Sequence, residues 1–215
     1  MTDVIFDLDG TLIDSHECIF EIYEKLFTEL GIQFPPLETM YTYIGPSVET
    51  VMGKYLPPEE APKACARFRA LYEQVDLTKT NRLYDGVKEM LRTLQQDGYR
   101  LFIASTKNEH KANLIPGLLG IKNYFTGIFG SRDEIGRTTK RQVLDDLCKA
   151  YTIDKKNALL IGDTHYDAEG AKQAGIDVVI VEYGFGDLPK IKKEYDVAYF
   201  AKTPGDVVEY VRNRT

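Results

Sequence analysis

The chain has 215 residues, 43% of them hydrophobic and 28% charged, which suits one globular core with room for an inserted subdomain. Its net charge of −6, with no basic stripe, argues against a nucleic-acid polymer as partner, because holding a duplex takes clustered cations that displace counterions. Cys18, Cys65 and Cys148 form no CxxC pair and fall on helical patterns, so no thiolate metal site is expected, and the thiols fit a reducing compartment.

In chain order, Val4-Ile5-Phe6 reads as a short buried strand, interrupted by Asp7-Leu8-Asp9-Gly10-Thr11-Leu12. Asp3, Asp7 and Asp9 break any leader-like apolar run, and no stretch is apolar for long enough to span a bilayer. The cytoplasm is therefore the expected location, with no membrane partner. Ser15 can cap a helix that carries Ile19, Ile22, Tyr23, Leu26, Phe27 and Leu30 at helical spacing and stops at Gly31. Proline pairs and Gly45-Pro46 punctuate the region to about residue 60, and a second helical stretch covers 59–74. No strand is expected between 15 and 82. From Leu83 the pattern changes: a helix over 86–96 leads to strand 100–104, followed by strands near 128–129, 158–161 and 178–181. Helical patterns over 140–150 and 167–174 separate the later strands. Short apolar strands alternating with helices predict an α/β, doubly wound, Rossmann-like parallel sheet. The expected organisation is a core of 1–14 with 83–215 and an all-helical insertion over 15–82.

In such sheets functional groups gather at the carboxyl ends of the strands. The first strand ends at Asp7 and Asp9, the second at Ser105-Thr106-Lys107, and another at Gly162-Asp163-Thr164, with Asp167 four residues further on. Lys140 opens a helix after a glycine-bearing loop. Two carboxylates brought to about 4 Å repel by roughly 4 kcal/mol at an effective dielectric of 20, so a proton, a basic group or a cation must neutralise them. With neither cysteines nor paired histidines at these positions, the oxygen-only set suits Mg²⁺, which binds one or two carboxylates together with a substrate phosphate.

Asp7-Leu8-Asp9-Gly10-Thr11 resembles the signature of the haloacid dehalogenase superfamily. Ser105 resembles its second motif, Lys140 its third, and Gly162-Asp163-Thr164-His165-Tyr166-Asp167 its fourth; the helical insertion resembles its first type of cap. The resemblance implies a Mg²⁺-dependent phosphatase in which Asp7 takes the phosphoryl group and Asp9 serves as acid and then base. Gly10, Ser105, Thr106 and Lys140 would bind phosphate, and Asp163, Asp167, Asp7 and the Asp9 carbonyl would surround the metal. Lys107 and Arg137 compete with Lys140 for the role of the lysine. Tyr43-Ile44-Gly45-Pro46-Ser47 resembles the phosphoglycolate phosphatase and 5′-nucleotidase branch, so Tyr43, Gly45, Pro46, Ser47 and Lys54 are expected to read the leaving group, and Tyr41 is a further candidate. His165 reads as a loop residue. The expected partner is a small phosphorylated metabolite and the expected assembly a monomer or homodimer. Sugar phosphatase and phosphomutase activities are alternatives within this fold. A phosphoacceptor receiver domain is the alternative outside it, although that fold would carry its acceptor on a central strand without a helical insertion.

Overall fold

A computed structural model describes residues 2–214. The chain begins with β1 (Asp3–Phe6) and β2 (Ile13–Asp14), followed by helices α1 (His16–Leu30), α2 (Leu37–Tyr41), α3 (Val48–Met52), α4 (Ala61–Tyr72) and α5 (Leu77–Thr80). It returns through β3 (Arg82–Leu83) to α6 (Val87–Gln96), β4 (Arg100–Asn108), α7 (Glu109–Leu118), β5 (Gly127–Ser131) and α8 (Lys140–Tyr151). The remainder is β6 (Ala158–Gly162), α9 (His165–Ala174), β7 (Asp177–Val181), α10 (Leu188–Glu194), β8 (Tyr199–Ala201) and α11 (Pro204–Arg214).

Six strands form one parallel sheet in the order β5-β4-β1-β6-β7-β8, so the doubly wound α/β expectation holds. The pleat sends Val4 and Phe6 of β1 into the core on one face and Ile5 into the core on the other. Because both faces are covered, Val4-Ile5-Phe6 of β1 is apolar without alternation. Phe6 is in register with Ile103 of β4 and Ile161 of β6. The next residues on these three strands therefore emerge side by side at one edge.

Helices α1 to α5 fill the chain between β2 and β3, which pair antiparallel as Ile13↔Leu83 and Asp14↔Arg82. This ribbon was not expected, since its strands have only two residues each and Arg82 falls inside the segment read as free of strands. Strand β8 was not expected either; it is short, and Tyr199 at the sheet edge is exposed, which blurs the apolar signal. Helix α1 ends where expected, with Gly31 left-handed at φ 67°. Helix α9 starts earlier than the pattern suggested. Thr164 is its cap and Asp167 completes a capping box, so His165 lies in the first turn rather than in a loop.

Candidate active site

The shared edge of β1, β4 and β6 collects most of the polar residues singled out in the sequence. Asp7 follows β1 and is only 4% exposed; its amide continues the ladder by donating to the Ile161 carbonyl at 2.8 Å. The chain then turns tightly, with Thr11, Leu12 and Ile13 all donating to the Leu8 carbonyl. Gly10 adopts φ 77° in this turn, and a Cβ there would lie 2.0 Å from Asp163 Oδ2, so the position excludes any side chain.

Asp163, at the end of β6, is fully buried. Its Oδ1 accepts from the Thr11 hydroxyl at 3.3 Å and its Oδ2 from the Phe185 amide at 2.8 Å. The loop after β7 presses on the same residue. A Cβ on Gly184 would sit 2.3 Å from Asp163 Cβ, and one on Gly186 would sit 1.9 Å from the Asp163 carbonyl oxygen. This loop was not expected at the site. Its signal was Gly184-Phe185-Gly186 just past a buried strand, the same strand-end rule applied once more.

Lys140 is the first residue of α8, whose start is fixed by a capping box of Thr139 and Gln142. Its buried ammonium lies 2.8 Å from Asp7 Oδ1 and 2.8 Å from Asp167 Oδ1, and donates to the Ala104 carbonyl at 2.9 Å. The stem passes over Gly170 of α9, where a Cβ would lie 2.5 Å from Lys140 Cγ. Asp167 is also held from its other oxygen, which accepts from the Thr164 hydroxyl at 2.8 Å and from the amides of Thr164 and Asp163 at 3.0 and 3.3 Å. The three cations proposed for one role thus occupy three places. Lys140 faces Asp7, and Lys107 faces Asp9 at 2.9 Å. Arg137 lies apart, donating to the Gly130 carbonyl and pairing with Glu109 and Asp146.

Burial pushes the Asp7 carboxyl up to about 6; Lys140 opposes the rise and Asp167 adds to it. Burial, then Asp167 and Asp7, push Asp163 well above the usual carboxylate range. Burial works against the charge on Lys140, but Asp167 and Asp7 outweigh it and raise the ammonium. One oxygen from each of Asp7, Asp163 and Asp167 lies within 4.8 Å of the others. Three clustered carboxylates, only two of them on the Lys140 ammonium, offer oxygen donors only and fit a hard divalent cation such as Mg²⁺. The Asp9 carboxylate is not in this group, because it turns to Lys107.

Ser105 is buried, and its hydroxyl accepts the Lys107 amide at 3.2 Å. It does not cap the next helix; Asn108 does. The Thr106 hydroxyl donates to the Gly45 carbonyl at 3.0 Å, linking the sheet edge to the helical segment. Between them lies a cavity of about 130 Å³ that Asp7, Asp9, Thr106 and Lys107 border from the sheet side. Tyr43, Gly45, Pro46 and Ser47 border it from the helical side. Lys54 does not; it is exposed and its ammonium stands 5.8 Å from the centre of the Tyr43 ring. Tyr41 does not either, stacking instead on Phe185 at 6.0 Å. Arg69, a cavity residue overlooked in the sequence, joins Glu49 at 2.5 Å to Asp133 at 2.8 Å across the two halves.

Known proteins resemble this chain. A 5′-nucleotidase from Pseudomonas aeruginosa is 30% identical over 201 residues, covering 93% of this chain and 90% of its own. A phosphoglycolate phosphatase from Aquifex aeolicus is 29% identical over 216 residues, covering 99% of this chain and 98% of its own. The solved structure of a haloacid dehalogenase-like family hydrolase from Streptococcus pneumoniae superposes with a TM-score of 0.91 at 30% identity, covering 98% of both chains. Residues 4–181 match the family described as haloacid dehalogenase-like hydrolases, and the chain belongs to that family.

Proposed function

We propose that this enzyme hydrolyses small-molecule phosphate monoesters through an aspartyl-phosphate on Asp7. The observation that carries this reading is the buried Asp7, braced by Lys140 at 2.8 Å and opening onto a cavity that Asp9 shares. Residues 1–14 and 83–215 would form the catalytic core and 15–82 a cap.

An Asp7 oxygen attacks phosphorus, the bond from phosphorus to the ester oxygen breaks, and its electron pair leaves on that oxygen. Asp9 supplies the proton that completes the alcohol. Water then attacks the same phosphorus while Asp9 takes its proton. The bond from phosphorus to Asp7 breaks, releasing inorganic phosphate and restoring the carboxylate. Lys140 offsets the charge of Asp7 as the phosphate approaches, and Asp167 keeps that lysine in place. The Ser105 and Thr106 hydroxyls and the turn at Gly10 would meet phosphate oxygens. Asp7, Asp163 and the main-chain carbonyl of Asp9 would hold Mg²⁺, with Asp167 behind them, and the ion would neutralise charge on the phosphoryl oxygens. The cap excludes water and reads the alcohol.

A cavity of about 130 Å³ suits a compact leaving group such as that of phosphoglycolate. The aromatic wall of Tyr23, Tyr43, Phe68 and Tyr72 favours nucleoside monophosphates as the second reading. With Mg²⁺ present, hydrolysis should be measured over phosphoglycolate, nucleoside monophosphates and sugar phosphates, alongside Asp7→Asn. Loss of all turnover in the variant, with labelled phosphate trapped on the wild-type chain by acid quench, supports the mechanism. Unchanged turnover in Asp7→Asn refutes it.

A further inference from the structure

Lys107 has no part in the chemistry described so far, although it lies deep in the site. Its ammonium contacts both oxygens of Asp9, at 3.0 Å and 2.9 Å, and the two side chains are only 5% and 11% exposed. A lysine in contact with both oxygens restrains a carboxylate from turning, whereas a single contact leaves it free to rotate. The restraint matters because Asp7 is close enough for Asp9 to help raise its carboxyl. Without a cation beside it, Asp9 would be driven away from Asp7, out of the position its role requires. The same lysine reaches in two other directions. Its amide donates to the Ser105 hydroxyl, and its ammonium stands 5.1 Å from the centre of the Tyr72 ring. Tyr72 is the last residue of α4, so the seat for Lys107 belongs to the helical segment. Lys111, one turn on, meets the same ring at 5.3 Å and pairs with Glu73 at 2.7 Å.

We propose that Lys107 is a positioning residue for Asp9, holding the side chain where its protonated form reaches the ester oxygen and making that placement depend on the cap through Tyr72. The inference rests on the reading of Asp9 as the proton donor. It gives the two lysines separate roles, with Lys140 serving the attacking carboxylate and Lys107 the proton-transferring one. Misplacing a reacting group by about 1 Å can cost about 100-fold in rate. That loss should fall on esters whose alcohol must be protonated to leave.

The test is the rate of alcohol release in the first turnover, with Mg²⁺, for an alkyl phosphate and for p-nitrophenyl phosphate, whose leaving group needs little protonation. Lys107→Met should slow the alkyl ester about 100-fold and the aryl ester less than about 5-fold. Lys107→Arg, which restores a cation able to reach both Asp9 oxygens, should recover part of the alkyl rate. Lys111→Met removes a neighbouring contact to Tyr72 without touching Asp9, and should leave both rates within about 2-fold. Should Lys107→Met fail to fold, Tyr72→Leu keeps apolar bulk without the ring and should show a smaller loss, again confined to the alkyl ester. Equal losses on the two esters, in Lys107→Met or in Tyr72→Leu, overturn the proposal. Asp9→Asn separates this inference from its parent. If that variant slows both esters equally in the first turnover, the proton-donor reading of Asp9 fails and the role of Lys107 fails with it.

Discussion

Asp7→Asn should make the metal-free protein more stable while abolishing its activity. Burial raises the Asp7 carboxyl from 3.8 to about 6, so the folded chain binds a proton at Asp7 more tightly than the unfolded chain does. The stability this group contributes is therefore fully present below about pH 4 and is lost as pH rises through about 6. A rise of about 2 units corresponds to about 3 kcal/mol, the cost of holding Asp7 ionised in the fold at pH 8. Asparagine occupies the same space without that charge. Urea unfolding in EDTA should thus show the variant more stable by about 3 kcal/mol at pH 8 and by well under 1 kcal/mol at pH 4. For a chain of this length the pH 8 difference amounts to about 6–12 °C in Tm. Mg²⁺ should narrow the gap at pH 8 by stabilising the wild type, because the ion supplies the missing counter-charge. A variant no more stable than wild type at pH 8, or a gap that does not change with pH, would refute the charge-crowding argument.

Lys140→Met should cost about 3–5 kcal/mol in the same assay at pH 8, since it strips the cation from two buried carboxylates, and combining it with Asp7→Asn should recover part of the loss. Gly186→Ala forces a Cβ against the Asp163 carbonyl oxygen, a backbone atom that cannot give way. Calorimetric titration should then show Mg²⁺ affinity lowered about 10-fold or more, as when the surroundings of a metal ligand are disturbed. Arg69→Ala should raise KM several-fold while costing less than about 1 kcal/mol in stability, because its ion pairs are solvent-exposed. Lys54→Ala should leave both parameters within about 2-fold in steady-state assays, because its ammonium stands outside the cavity.

The fold class was legible because β1, β4, β6 and β7 each carry a short apolar run, in β4 only its first half, and two covered faces demand such runs whatever surrounds them. Once the strands were placed, the ends at Asp7, Ser105 and Asp163 followed from the parallel register. Other features were hidden in the sequence. The pair of Lys107 with Asp9 joins residues 98 positions apart, and no local pattern reports where a long, flexible lysine ends. The helix cap formed by Thr164 and Asp167 was written in the sequence as T-x-x-D, but Asp167 was read for its charge alone. Lys54 shows the opposite error. Its closeness in sequence to Ser47 suggested a shared site, but α3 and the turn after it carry it to the surface.

The β2–β3 ribbon has a consequence for how such an enzyme can diversify. The helical segment leaves the sheet and returns to it through two adjacent strands, and the Tyr84 amide, donating to the Leu12 carbonyl, closes the junction. Closing a longer loop at a fixed junction costs only about 0.6 kcal/mol for each doubling of its length. The junction therefore works like a socket. A segment of different length or shape can be fitted there without shifting the register that sets Asp7 beside Asp163. New substrates can be acquired by replacing the part above the socket while the bond-breaking apparatus below it is inherited unchanged.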